Sequence, residues 1–260
     1  MLSEPIPADA QVDGPLLAAR DVSKYFGGVA AVRDVTLEFP AGSVTAIVGD
    51  NGAGKSTFMK MLCGVHAPDH GTLEVWGEPV RLATPAAAHE LGIETVHQDL
   101  ALADHRDVAQ NLFLGRELRR RYGPVQLLDV ARMRREAEAS IRDLRIKLPS
   151  VRQEVRKLSG GQRQGVAIAR AVHWGSRILL LDEPMAALGL QEQARVQDLI
   201  ADLASRGLTI VIVSHNLDHV FALSTRIAVM RLGRLIAVRD TSSVTPMEIL
   251  HLISGIAEAG

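Results

Sequence analysis

The sequence predicts an α/β fold built around a parallel β-sheet. Three short apolar segments, Val44–Val48, 177–181 and Thr209–Val213, have the composition of strands that are buried on both faces. Stretches with helical periodicity alternate with them, at 55–63, 163–172 and 191–205. Such an alternation of strand and helix is typical of a parallel sheet covered by helices.

Composition limits the classes of function. The chain has 260 residues, 47% of them hydrophobic, and a formal net charge of −1. A near-neutral charge argues against a general nucleic-acid binder, so we expect no nucleic-acid partner. The single cysteine, Cys63, fits a reducing compartment. No apolar run reaches 18 residues, and residues 1–15 lack the basic start of a signal peptide. We therefore expect a cytoplasmic protein whose residues 1–15 form a flexible tail.

The N-terminal part of the chain has the pattern of β-strands joined by short turns. Strand patterns at 16–25 and 32–39 flank a turn at Phe26-Gly27-Gly28. The next predicted elements are a hairpin of 72–76 and 78–82, a helix at 86–91 and a strand at 93–96. These elements precede a region of different character.

Residues 99–157 carry 14 basic and nine acidic side chains, a net charge of +5. Apolar residues recur there at helical spacing after Asp129, a candidate N-cap. They are Met133, Ala137, Ile141 and Leu144. We predict a helical insertion, with a helical subdomain at about 99–172. Beyond it we predict a helix at 216–223 and a hairpin of 227–230 and 235–239. The main domain then spans 16–250, and 251–260 form a C-terminal tail.

A glycine-rich loop follows the first buried strand and precedes a helix. It reads Gly49-Asp50-Asn51-Gly52-Ala53-Gly54-Lys55-Ser56-Thr57 and matches G-x-x-x-x-G-K-S. Glycines let backbone N–H groups face phosphate oxygens, and the helix N-terminus adds its positive dipole end. Lys55 can reach the β- and γ-phosphates of a nucleotide, and Ser56 can bind Mg²⁺. The sequence therefore predicts a P-loop protein that binds nucleotide phosphates and Mg²⁺.

Two carboxylates end the second buried strand. Asp182 and Glu183 lie at the carboxyl edge of the predicted sheet, where open α/β sheets bind ligands. Asp182 can hold Mg²⁺ directly or through water. Glu183 can act as general base or orient the attacking water. Alone, the pair is more often a solvated strand end; beside the glycine-rich loop, a catalytic role is favoured.

A second anion-binding segment opens the next helix. It reads Leu158-Ser159-Gly160-Gly161-Gln162, in which Ser159 can cap the helix and the two glycines expose N–H groups. With this segment in place, the chain resembles the nucleotide-binding subunits of ABC transporters over roughly residues 16–239. The family's motifs occur in order along the chain. They are Walker A at 49–57, the Q-loop at Gln98, the signature at 158–162, Walker B at 178–183 and the switch histidine at His215.

The resemblance implies a P-loop fold with a RecA-like parallel sheet, an N-terminal antiparallel β subdomain and a helical insertion. It also implies a head-to-tail pair of subunits with two ATP molecules between them. Each ATP would contact Lys55 of one subunit and the signature of the other, Ser159, Gly160, Gly161 and Gln162. Gln98 would sense Mg²⁺ and the γ-phosphate, His215 would contact the γ-phosphate, and Phe26 would stack on adenine. Tyr25 is the alternative stacking residue.

In this family the helical insertion receives a membrane permease, so 100–114 is the expected docking surface. Internal packing is expected to explain most of its apolar residues. The run Arg119-Arg120-Arg121 could meet anionic lipid or a permease loop, but a solvated loop is favoured. We expect the protein at the cytoplasmic face of the cell membrane. A periplasmic or extracellular sugar-binding protein would be an indirect partner.

One stretch points to a type of importer. Ala186-Ala187-Leu188-Gly189 resembles the ATPases of bacterial monosaccharide importers, where glycine at this place is usual. Many of those carry two copies of the domain, whereas this chain has one. The second ATPase subunit is therefore expected to be another copy of this chain, as a homodimer, or a different ATPase. The alternatives are an ATPase for a non-sugar transporter and a soluble ABC ATPase of DNA repair or translation.

Overall fold

A computed structural model describes residues 14–122 and 124–255. The strands are β1 (Pro15–Phe26), β2 (Val29–Pro40), β3 (Val44–Val48), β4 (His70–Val75), β5 (Glu78–Val80), β6 (Ile93–Val96), β7 (Arg119–Tyr122), β8 (Val125–Leu128), β9 (Ile178–Asp182), β10 (Thr209–Val213), β11 (Arg226–Arg231) and β12 (Arg234–Asp240). The helices are α1 (Lys55–Leu62), α2 (Pro85–Glu90), α3 (Val108–Leu112), α4 (Val130–Asp143), α5 (Gly160–Val172), α6 (Leu190–Ser205), α7 (Leu217–Leu223) and α8 (Pro246–Ser254). Among these helices, none has the length and apolar character to cross a membrane.

The central sheet has six strands in the order β12-β11-β3-β10-β9-β6. Its inner pairs are parallel, and β12 runs antiparallel at one edge. Side chains alternate between two cores: Leu179 and Leu181 face the core shared with α5 and α6, whereas Ile178 and Leu180 face the core shared with α1. Both faces are therefore buried, which confirms the predicted parallel sheet.

The antiparallel subdomain is confirmed as a sheet of order β2-β1-β4-β5. Inward side chains of β1 and β2, among them Leu17, Val35 and Phe39, are buried in the same core as Phe58 of α1. This packing brings the end of β1 to the side of the molecule on which the glycine-rich loop lies. The boundary residues differ from the prediction by a few positions, as strand ends commonly do.

The insertion contains α3 and α4, and the apolar residues predicted for α4 are buried. Asp129 caps α4 by accepting a hydrogen bond from Arg132 N at 2.9 Å. One expectation was wrong: Arg119-Arg120-Arg121 is part of strand β7, paired with β8, and not a loop. Only four residues separate Leu118 from the tip, too few for a periodic signal in the sequence.

The C-terminal boundary also needs correction. Helix α8 begins after the N-cap Thr245 and ends at Ser254, beyond the predicted domain end at 250. Its residue Ile249 is buried against β11 and α7, which ties it to the domain. Residues 1–13 and 256–260 lie outside the described part, so the tails stay predictions there.

Candidate active site

The loop between β3 and α1 needs glycine at two positions for close packing. A side-chain carbon on Gly49 would lie 2.1 Å from the carbonyl oxygen of Met230. On Gly54 it would lie 2.5 Å from the carbonyl oxygen of Ala31, and Gly54 has a φ of 98°. Larger residues would therefore force the loop away from its neighbours. The middle of the loop, 50–52, is exposed and open to a ligand.

Lys55 begins α1 and is buried, with 8% of its surface exposed. Its ammonium donates to the carbonyl oxygens of Gly49 at 2.7 Å and Asp50 at 2.9 Å. Burial lowers the pKa of Lys55, opposed by the carboxylates of Glu183, Asp50 and Asp182. The loop thus holds a cation in place with neutral carbonyl groups, which phosphate oxygens can replace. Ser56 is exposed and Thr57 is half-buried next to it.

Asp182 and Glu183 lie at the carboxyl end of β9, close enough to Lys55 to influence its charge. Burial raises the pKa of Asp182, and the Glu183 carboxylate raises it further. His97, Lys60 and Lys55 lower the pKa of Asp182 and so favour its ionised form. The fold therefore brings the acidic pair and the phosphate-binding loop to one edge of the sheet, as predicted.

Glu183 and His215 are in direct contact. The Glu183 Oε1 atom accepts from the backbone N–H of His215 at 3.1 Å and lies 2.7 Å from Nδ1 of the ring. Since a carboxylate only accepts, the proton is assigned to Nδ1. The Glu183 N–H donates to the Val213 carbonyl at 2.9 Å, and Glu183 has a φ of 48°. Such a backbone is strained in a non-glycine residue, and it directs the carboxylate toward His215.

Phe26 ends β1 as an exposed ring. It packs edge-to-face on His66, which follows α1, with ring centroids 5.3 Å apart. The Lys24 ammonium lies 5.9 Å from the Phe26 centroid. Tyr25 packs edge-to-face on His70 at 6.0 Å. Both rings are partly accessible, 47% for Phe26 and 37% for Tyr25, so either has a face for stacking.

The signature segment forms a complete capping box at α5. Gln162 N donates to the Ser159 hydroxyl at 3.4 Å, and Ser159 N donates to Gln162 Oε1 at 3.0 Å. The Gln162 amide also donates to the Lys147 carbonyl at 2.9 Å. Hydrogen bonds from the Ser159 hydroxyl and the Gly161 N–H lower the pKa of Glu192. These hydrogen bonds, in the described part of the chain, join the segment to the insertion and α6, not to the glycine-rich loop.

Gln98 is exposed in the loop after β6. The structure adds a residue that the sequence interpretation missed. Arg170 of α5 donates to the carbonyl oxygens of Leu100 at 2.8 Å and Ala101 at 2.7 Å. It thereby ties the signature helix to the segment just after Gln98. A signal existed: Arg170 is the one charge in the otherwise apolar stretch 166–172.

Comparison with known proteins identifies the family. The ABC transporter family model matches residues 32–186 of the chain. The chain belongs to this family. The same assignment follows from the fructose import ATP-binding protein FrcA of Rhizobium meliloti, 42% identical over 94% of this chain and 95% of that protein. The xylose/arabinose import ATP-binding protein XylG of Sulfolobus acidocaldarius is 39% identical over 93% and 95%.

Other relatives of this ABC protein are longer. The ribose import ATP-binding protein RbsA 2 of Rubrobacter xylanophilus is 42% identical over 93% of this chain, which spans 46% of that protein. Among solved structures, cbiO1 of Clostridium perfringens, part of the ABC transporter complex cbiONQ, aligns with a TM-score of 0.77 and 25% identity over 92% of this chain and 93% of that one. The ATP-binding cassette MJ0796, a dimer bound to ADP and Pi, aligns at 0.71 and 23% identity over 86% and 98%. The structural likenesses confirm the P-loop fold, and membership of the ABC transporter family makes the chain a nucleotide-binding ATPase.

Proposed function

We propose that this ABC ATPase binds and hydrolyses ATP to energise the import of a monosaccharide. The observation that carries the proposal is the meeting of Lys55, Asp182 and Glu183 at one sheet edge. The sugar specificity is supported by relatives named for fructose, xylose and ribose import, two of which this chain matches nearly from end to end. The 186–189 sequence agrees with this likeness.

The signature segment supports a composite site. Ser159 is the N-cap of the 13-residue helix α5, and Gly160 and Gly161 are its first two residues. That N-terminus favours an anion, and the Lys55 ammonium can exchange its two carbonyl acceptors for phosphate oxygens. ATP between two copies of the chain, with Lys55 from one and the signature from the other, satisfies both. A second ATPase subunit is therefore part of the proposal, and the dimeric cassette MJ0796 fits it.

The donor set fits Mg²⁺. Ser56 offers an exposed hydroxyl, Asp182 a carboxylate and Gln98 an amide oxygen, all oxygen ligands. Among the described residues no group of three His, Cys, Asp or Glu forms a self-contained metal site. A cation that keeps waters and shares its ligands with nucleotide phosphates matches this incomplete set. Bound there, Mg²⁺ would neutralise charge on the phosphates.

Glu183 is the proposed water-activating residue, and His215 holds its carboxylate in position. The 2.7 Å contact occupies Nδ1, so Nε2 is the ring nitrogen left to face the γ-phosphate, and it donates to a phosphate oxygen only when the ring is doubly protonated. Phe26, with its accessible ring, would stack on adenine, with Tyr25 as the alternative. The amide groups of 49–57 would bind the phosphates.

The partners follow from the family. Membrane permease subunits would dock on the insertion, and a periplasmic or extracellular sugar-binding protein would act through them. Of the apolar residues in 100–114, Val108, Leu112 and Phe113 are buried and Leu114 is 49% exposed. The docking surface is therefore narrower than the segment suggested. The chain would work as a peripheral protein on the cytoplasmic face of the membrane.

Glu183→Gln tests the catalytic part. We expect ATP binding to persist while turnover falls by about 10²- to 10⁴-fold, the usual contribution of general base catalysis, and the ATP-bound dimer to accumulate. Glu78→Gln is the matched control, since Glu78 is exposed on β5. Full turnover in Glu183→Gln, or a rate per subunit that is independent of dilution, would contradict the proposal.

Affinity purification from native membranes tests the transport part. We expect a permease and a sugar-binding protein to copurify, and the latter to bind a monosaccharide. Recovery of ribosomal or chromosomal proteins without a membrane protein would favour the soluble alternative. A binding protein specific for an amino acid or peptide would keep the ATPase role and refute the sugar.

A further inference from the structure

The β7–β8 hairpin consists of 119–122 and 125–128 in the insertion, and all four residues of β8 are exposed. Its base is closed by Asp129 N donating to the Leu118 carbonyl at 2.8 Å, and Leu118 packs on the helical core. Beyond that base the side chains of Val125, Leu127 and Leu128 are 53–54% exposed. Since side chains alternate along a strand, Val125 and Leu127 lie on one face of the hairpin and Leu128 on the other. Each face therefore presents apolar area to its surroundings.

The opposite strand is basic. Arg119 pairs with Leu128 and Arg120 pairs with Leu127 across the hairpin. Each face of the hairpin therefore combines a cationic and an apolar side chain. No acidic residue occurs between 118 and 128, so the hairpin itself carries a charge of +3. A two-stranded hairpin is marginally stable in water alone, and a partner surface would stabilise it.

An anionic phospholipid surface is complementary to both the cationic and the apolar side chains of the hairpin. Arginine pairs with lipid phosphates, while apolar side chains beside it enter the interfacial region. We propose that the β7–β8 hairpin binds the headgroups of anionic phospholipids and helps to hold the subunit on the membrane. This inference rests on the proposed function, because that function places the chain beneath membrane permeases.

Vesicle flotation of the purified full-length chain tests the lipid contact. Vesicles of phosphatidylcholine alone are compared with vesicles that contain phosphatidylglycerol. We expect partitioning only with the anionic lipid, weakened at high salt because exposed charges are screened. Equal partitioning into both, or none into either, would overturn the proposal.

Paired variants locate the contact. Each arginine near an anionic surface contributes about fivefold to partitioning, so Arg119→Gln with Arg121→Gln should reduce it by about 25-fold. The control, Arg135→Gln with Arg142→Gln, makes the same charge change at exposed positions on α4. Equal loss in both double variants would indicate general charge attraction and refute a hairpin site.

Further readouts separate this proposal from the ATPase. Basal ATP turnover should be unchanged in the hairpin variants. If Glu183→Gln keeps full turnover, the catalytic proposal is wrong, but the vesicle result still stands. Leu127→Ser with Leu128→Ser should weaken vesicle binding without a change of charge. If the arginine variant partitions like the unmodified chain but loses its permease in detergent, the hairpin binds protein and the lipid proposal is wrong.

Discussion

Two glycines of the signature helix α5 have different neighbours, and the same substitution should have opposite effects on them. In Gly161→Ala the new methyl carbon would lie 2.8 Å from Glu192 Cβ and 3.4 Å from its Cα. The 2.8 Å contact is the clash, and because Cβ is bonded directly to the main chain of α6 it has little freedom to move. Overpacking of this kind costs about 1–3 kcal/mol, against a helix-propensity gain of at most about 1 kcal/mol. We expect a net loss of about 1–2 kcal/mol in the free energy of unfolding.

In Gly165→Ala the nearest atom is Cγ2 of Ile146 at 3.1 Å, the tip of a side chain. Ile146 and Gly165 line a cavity of about 370 Å³, so the side chain has space to turn away. The propensity gain of about 1 kcal/mol then dominates, and we expect stability to rise by about 0.5 kcal/mol. The predicted gap between the two variants is about 2 kcal/mol.

Urea unfolding without nucleotide, followed by circular dichroism, measures this gap. Midpoints are converted with a shared m-value, since neither substitution changes the surface exposed on unfolding. Nucleotide is left out because Gly161 is a proposed phosphate contact. A Gly161→Ala protein as stable as Gly165→Ala would show that α5 and α6 can separate freely, and would refute the packing argument.

Three further predictions concern charge and capping. Arg170→Met removes both hydrogen bonds to the loop after Gln98, so kcat should fall while the Kd for ATP changes little, as read from turnover and nucleotide binding. Glu94 contacts the ring of His89, and burial raises the pKa of Glu94 to about 7 while it lowers the pKa of His89. The stability gained by protonating Glu94 is complete below its ordinary pKa of 4.5 and is lost as pH rises through 7. Relative to Glu94→Gln, the unmodified chain should lose about 1–2 kcal/mol between pH 5 and 8 in chemical unfolding, after allowance for partial exposure. Asp129→Ala removes the cap of α4 and should cost about 1 kcal/mol, whereas Asp129→Asn should retain most of it.

Much of the fold was predictable because buried strands leave a strong signal. The apolar runs of β3, β9 and β10, with their alternation between two cores, read directly as a parallel sheet. The hairpin β7–β8 did not, because its exposed strands have no buried face to impose a period of two. Helix α8 was missed because one buried residue, Ile249, anchors it.

The candidate site shows the same division. Lys55 and the acidic pair were predictable, since contiguous motifs at strand ends converge in any open α/β sheet. The contact of Arg170 with Leu100 and Ala101 spans about 70 positions of sequence. A single sequence gives no pairing between such distant residues. Likewise, the left-handed backbone of Glu183 depends on its bond to Val213, a neighbour only in the folded sheet.

Within one copy of the chain the signature helix is not joined to the glycine-rich loop. This separation has a consequence for ATP consumption in the cell. If each ATP needs both surfaces, a single copy carries the glycine-rich loop of one ATP site and the signature segment of another. It therefore completes neither site. The rate at which two copies meet then limits the rate of ATP consumption. Attachment beneath a permease would confine copies to the plane of the membrane and raise their local concentration. A copy in dilute solution would hydrolyse almost no ATP.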